Sequence, residues 1–172
     1  MGTLTVQTLQ APTSGANANK VLIPSGHNLI ATGHVLQVQE TSDLSSSAIL
    51  VSSSSYTATG VICSITPQRD NSIILIDWLA NMADHATNHG YGRMYLKVGS
   101  GSYSGMTGSG DYTAGYKNSS YNRYAPMGMS AKYQVTSTDT HSFQPYYLSN
   151  SGTLTVVHNT SSYCLRLTEI AQ

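Results

Sequence analysis

Tyr91-Gly92-Arg93-Met94-Tyr95-Leu96-Lys97-Val98 is the stretch on which the fold class turns. Met94, Leu96 and Val98 fall on one side of an extended backbone, and Arg93, Tyr95 and Lys97 on the other. A two-residue period of this kind predicts a strand with one covered face. Upstream, Ile73 to Met82 is the most apolar segment and holds the only tryptophan, Trp78. It reads as a central strand, buried on both faces at its start. Val61, Cys63 and Ile65 alternate with Ser64 and Thr66 until Pro67 stops the run, and Gln68-Arg69-Asp70-Asn71-Ser72 reads as a turn. Earlier still come the short runs Leu4–Leu9, Lys20–Ile23, His34–Glu40 and Ala48–Val51. Downstream, strand character resumes over 123–135, His141–Leu148, Thr153–His158 and Tyr163–Ile170, with Cys164, Leu165, Leu167 and Ile170 as core candidates in the last. No segment of helical length carries a capped 3.6-residue apolar period. Short strands spaced by Gly, Ser and Asn turns define an all-β sandwich or barrel, and the lack of a fixed repeat excludes propellers and solenoids.

The chain has 172 residues, enough for one domain with a real core. Charged side chains make up only 9%, and eight basic and eight acidic residues cancel. That excludes the basic face a nucleic-acid binder needs, and equally a polybasic membrane-surface module. No stretch approaches the ~20 apolar residues of a membrane helix. MGTLTVQTLQ lacks the charged and apolar regions of a secretory signal. Polarity comes from Ser, Thr, Asn and Gln, which leaves little charge repulsion between copies, so self-association is expected.

The search for chemistry finds little. His85 and His89 share a face only on a helix, and here they sit at a strand-to-turn junction, so an exposed hairpin is the expectation rather than a metal site. The eight carboxylates show no paired motif for glycoside hydrolysis, and no GxSxG elbow or phosphate-binding glycine loop occurs. The protein is therefore expected not to be an enzyme and to carry no metal or cofactor. Cys63 and Cys164 lack CxxC spacing and are expected to be unpaired, small hydrophobic residues.

Two features invite a binding role. Residues 1–19 carry no charged side chain, and the short strands of the first third cannot bury enough area alone. Residues 1–40 are expected to form an extended arm, completed by another surface through Leu4, Val6, Leu9, Val21 and Ile23, with residues 41–172 as the module. In addition, residues 99–122 read as a long loop in which Tyr103, Tyr112, Tyr116 and Tyr121 are interleaved with Gly, Ser and Asn. That composition suits recognition, because tyrosine offers broad amphipathic contact at low entropic cost.

Three segments carry a family resemblance. TLTVQTLQAPTSGANANKVLIPSGHNLIATGHVLQVQ (3–39), SSSSYTATGVICSITPQRDNSIILID (52–77) and SSYCLRLTEIAQ (161–172) occur in order and touch both ends and the middle of the chain. Together they resemble small virion proteins of tailed bacteriophages, particularly marine and cyanobacterial ones. The resemblance implies a jelly-roll-like antiparallel sandwich, usually trimeric. It would sit on the virion as a capsid decoration (cement) protein, or as a tail or head fibre tip that binds a host surface glycan or protein. Its partners would be the major capsid protein or other virion proteins, and it would be made in the host cytoplasm. The chain departs from the family at Cys164-Leu165-Arg166, where the usual tail is plainer and more apolar, and it lacks a long fibre shaft.

Overall fold

Alternation of inward and outward side chains runs through the long strands, as their two-residue period requires. The computed structural model describes residues 13–15, 31–43, 47–84, 90–106, 112–113, 123–150, 152–157 and 161–172. Residues Thr32–Gln172 form one compact unit, separate from Met1–Ala31. Among the described residues twelve strands follow in order: β1 Val35–Asp43, β2 Ile49–Val51, β3 Thr57–Ala58, β4 Cys63–Ile65, β5 Ile73–Asp84, β6 Gly90–Val98, β7 Ser104–Gly105, β8 Tyr112–Thr113, β9 Arg123–Gln134, β10 His141–Ser149, β11 Leu154–Val157 and β12 Tyr163–Ile170. Residues 35–40, grouped with the arm on sequence grounds, belong to β1, which pairs with β12 from Val35↔Ile170 to Asp43↔Tyr163.

All pairings are antiparallel and make two sheets. In the first, β12 lies between β1 and β5, and β9 flanks the other side of β5; β11 and β2 extend the sheet where β12 ends. In the second, β10 pairs with β6 along its whole length, β3 and β4 lie end to end on its far side, and β7 and β8 pair with β6. The protein is thus all-β, two sheets enclosing one core.

That core is built from both sheets. β5 turns Ile74, Ile76, Trp78 and Ala80 inward, β12 contributes Leu165 and Leu167, and β10 contributes Phe143 and Tyr147. Trp78 Nε1–H donates to the Tyr147 hydroxyl at 2.8 Å, a bond that crosses from one sheet to the other. Burial pushes the Tyr147 phenol far above its usual range, against the smaller opposing effect of this bond, so it stays neutral. The start of β5 is less enclosed than its composition suggests: Ile73 and Leu75 are half-buried on the outer face, and Leu79 is exposed. Cys63 and Cys164 are free thiols; Cys63 lies in the core, while Cys164 is only half-buried.

Gly92 is where β6 comes closest to this core. A β-carbon there would lie 2.6 Å from Tyr147 Cε1, 2.9 Å from Tyr147 Cζ and 3.0 Å from Met129 Sδ. Tyr147 is fixed by its bond to Trp78 and cannot swing aside. Gly92→Ala is expected to cost about 1–3 kcal/mol by overpacking, read as a lower urea midpoint at unchanged m-value.

One charged group is inside. β12 points Leu165, Leu167 and Glu169 the same way, and Glu169 is 0% exposed. The turn after β4 supplies its partners. The backbone N–H groups of Gln68 (3.0 Å) and Arg69 (3.3 Å) donate to the carboxylate, as does the Ser72 hydroxyl (2.6 Å). From β1, Gln37 Nε2 donates to Glu169 Oε2 at 2.7 Å and to the Thr66 carbonyl at 2.7 Å. Asn71, at φ 65°, takes the left-handed conformation that asparagine tolerates and so lets the turn fold over the carboxylate. Burial pushes the Glu169 carboxyl up, yet the bonds from Ser72, Gln37, Gln68 and Arg69 outweigh it and hold the group below its ordinary value.

His141, at the start of β10, is also enclosed. Its Nδ1–H donates to the Asp139 carbonyl at 2.7 Å, and its ring lies 5.2 Å from that of Tyr133. These contacts make it a structural histidine tied to the backbone of the preceding turn.

Candidate functional site

The outward side chains of β6 and β10 build the most distinctive surface. On β6 these are Arg93, Tyr95 and Lys97; on β10 they are Ser142, Gln144 and Tyr146. The register places Tyr146 opposite Arg93 and Gln144 opposite Tyr95, so Tyr95 and Tyr146 are diagonal neighbours. Their rings stack, with centroids 3.9 Å apart and planes 19° from parallel. Tyr56, just before β3, approaches Tyr95 at 6.1 Å, and Tyr103, just before β7, approaches Tyr146 at 6.2 Å. A cation closes each end: Arg93 Cζ lies 5.0 Å from the centre of the Tyr56 ring, and Lys97 Nζ lies 5.4 Å from that of Tyr103.

The result is a continuous row, Arg93–Tyr56–Tyr95–Tyr146–Tyr103–Lys97, of half-buried side chains. Gly105 lies beside it. A β-carbon at that position would come 3.0 Å from Arg93 Cδ and 3.8 Å from Tyr95 Cζ. Gln144 is buried beneath the rings, and Ser142 shares a 2.8 Å hydroxyl–hydroxyl bond with Ser64. Burial raises the phenols of Tyr103 and Tyr146, with a smaller contribution from a neighbouring phenol in each case, so both remain protonated donors. A ring face carries negative charge and attracts a cation, while ring edges are positive. The row is held together by the stack of Tyr95 on Tyr146 and by the two cations against the outer rings.

The opposite sheet presents a different outer face. There Arg166 bonds Glu40 through Nε (2.9 Å) and Nη2 (2.7 Å), and Ser130 Oγ donates to Asp77 at 2.7 Å. The pairing with Glu40 raises Arg166 and lowers Glu40.

Of the residues expected to bind, Tyr103 joins the row. Tyr112 lies on β8 with its backbone opposite Gly92. Tyr116, Tyr121 and the arm residues Leu4, Val6, Leu9, Val21 and Ile23 fall outside the described residues, as do His85 and His89. The structure adds Tyr56, Arg93, Tyr95, Lys97 and Tyr146, which sequence reading did not assign to a site. Part of that signal was visible, since Arg93, Tyr95 and Lys97 alternate onto one face. Tyr56 and Tyr146 reach them only through the pairing of β10 with β3 and β6.

Among the described residues, no group of three or more His, Cys, Asp or Glu could hold a metal ion. No helix among them is long and apolar enough to cross a membrane. No protein-family model matches the chain, and no curated protein matches it.

Proposed function

We propose that this protein is a structural component of a tailed-phage virion, a capsid decoration protein that stabilises the particle exterior through its N-terminal segment. The strand order carries the reading. With the short extensions set aside, β1-β12-β5-β9 faces β4-β10-β6-β7. Counted as eight strands this is 1-8-3-6 against 2-7-4-5, an order that supports a jelly-roll winding, an architecture that viral capsid domains use repeatedly. The resemblance of residues 3–39, 52–77 and 161–172 to phage virion proteins supports the same reading. So does a polar surface with few charges, since a symmetric oligomer, a trimer by that resemblance, multiplies weak contacts on a particle. Deleting residues 1–19 is expected to abolish particle binding and leave the β-sheet circular dichroism intact. A truncated protein that still decorates particles at full occupancy would refute attachment through this segment.

The tyrosine row favours a second reading, an adhesive tip on a tail or head fibre. Quantitative mass spectrometry of purified particles separates the two. A copy number comparable to that of the shell protein fits decoration, and a small number of oligomers per particle fits a fibre.

A further inference from the structure

We propose that the outer face of the β1-β12-β5-β9 sheet is a contact surface for a second copy of this chain, with a two-fold axis running along the strands between β12 and β5. The inference does not rest on the virion reading. Side chains of β12 that alternate with the buried Leu165, Leu167 and Glu169 point outward, and the register sets each beside an outward residue of β5. Ile170 lies beside Ile73, Arg166 beside Asp77 and Cys164 beside Leu79. A two-fold axis between the two strands brings each member of such a pair over the other member in the second copy. Ile170 then meets the partner's Ile73, Cys164 meets the partner's Leu79 and Arg166 meets the partner's Asp77, and every contact occurs twice. Both charged groups can reach across. Arg166 bonds Glu40 through Nε and Nη2, which leaves Nη1 outside that pairing, and Ser130 donates to Asp77 Oδ1, which leaves Oδ2 outside its own. Moving the axis onto β12 would set Arg166 against itself, and moving it onto β5 would do the same to Asp77. Moving it between β1 and β12 would leave β9 uncovered. Charge pattern and coverage together fix where the axis lies.

The same face is apolar enough to associate. The register shift between Val35 and Gln37 turns Val35 to the side of Val38, three residues on, and the two are 48% and 50% exposed. They adjoin the half-buried Ile170, Ile73 and Leu75 through the pairing of β1 with β12 and of β12 with β5. Leu79, 56% exposed, adds a further aliphatic side chain toward the other end. Contiguous exposed apolar surface of this kind marks interaction sites on soluble proteins. Four strands by eight residues span about 19 Å by about 27 Å. Covered on both copies, that face amounts to about 1,000 Å², the lower limit for a specific interface. Two sheets pack face to face with their strands within about 30° of each other, the arrangement this axis gives.

A contact of this size is weak, so sedimentation equilibrium of the full chain is run up to about 0.1 mM. The parent is expected to form dimers; if the threefold association implied by the resemblance also forms, the same contact joins trimers in pairs. Arg166→Asp sets like charges together twice, as does Asp77→Arg, and each is expected to weaken pairing about tenfold. Mixing these two variants sets opposite charges together at both contacts and is expected to restore pairing. Lys97→Glu makes the same change of charge on the other sheet and serves as the control: alone it leaves pairing unchanged, and mixed with Asp77→Arg it restores nothing. Leu79→Lys, at an exposed position, is expected to weaken pairing by a similar factor and carries the test if a charge variant does not fold, which thermal unfolding checks. A chain that stays monomeric, or trimeric without pairing, overturns the proposal. So does pairing indifferent to Leu79→Lys, a mixture no better associated than its two components, or equal restoration by the Lys97→Glu mixture. None of these results bears on particle binding, which the deletion of residues 1–19 tests separately.

Discussion

Glu169→Ala is expected to destabilise the protein by about 3–5 kcal/mol at neutral pH, because several donors lose their shared carboxylate acceptor together. The Gln68 and Arg69 amides, the Ser72 hydroxyl and the Gln37 side chain all converge on this carboxylate. Alanine offers them no acceptor; Gln37 keeps its bond to the Thr66 carbonyl and Ser72 its bond to the Arg69 carbonyl. Equilibrium urea unfolding is the measurement, and a loss below about 1 kcal/mol would mean that the donors find other partners. The same carboxylate gives stability a pH dependence of defined sign. Its folded pKa is depressed, so its contribution is complete above the ordinary glutamate range and is lost as pH falls through the folded value. Glu169→Gln keeps the shape but not the charge, and its unfolding midpoint is expected to change less between neutral and acidic pH than that of the parent.

Trp78→Ala is expected to cost about 3–5 kcal/mol, from the cavity left by the largest core side chain. The Tyr147 hydroxyl also loses its donor at 2.8 Å. Tyr147→Phe isolates that second effect: it keeps the ring and leaves the indole N–H unpaired, at a cost of about 1–3 kcal/mol. As the only tryptophan, Trp78 reports unfolding of the Tyr147→Phe variant by its own fluorescence, whereas circular dichroism is needed for Trp78→Ala. If Trp78→Ala shifted the midpoint no more than Tyr147→Phe, the indole would be contributing little beyond its hydrogen bond.

The fold was largely legible because its strands obey a two-residue period. Tyr91–Val98 appears as β6, Tyr163–Ile170 as β12 and the polar run Gln68–Ser72 as a turn, each close to where sequence placed it. What escaped is instructive. On β12, reading by hydrophobicity picked Cys164 and Ile170 for the core, yet both are half-buried on the outer face, and the inward position is Glu169. Parity along the strand, fixed by Leu165 and Leu167, was the better guide; a carboxylate there was passed over because its donors come from a turn about a hundred residues earlier. The tyrosine site was legible only in part for a related reason. Sequence composition drew attention to the Gly/Tyr loop, whereas the row is assembled from β6, β10 and the residues leading into β3 and β7. No local pattern encodes which strands become neighbours.

The placement of β12 between β1 and β5 governs how the chain reaches its folded state. Among the described residues β12 is the one strand that pairs with β1, so more than a hundred intervening residues must be synthesised before β1 can dock on it. Until then the edges of β1 and β5 that β12 will occupy stay open, the kind of surface on which nascent chains pair with each other. Closure of such distant pairings is slow. The tail of the sequence therefore acts as a late-arriving keystone, and the ribosome's progress to residue 170 sets the earliest moment at which this sandwich can close.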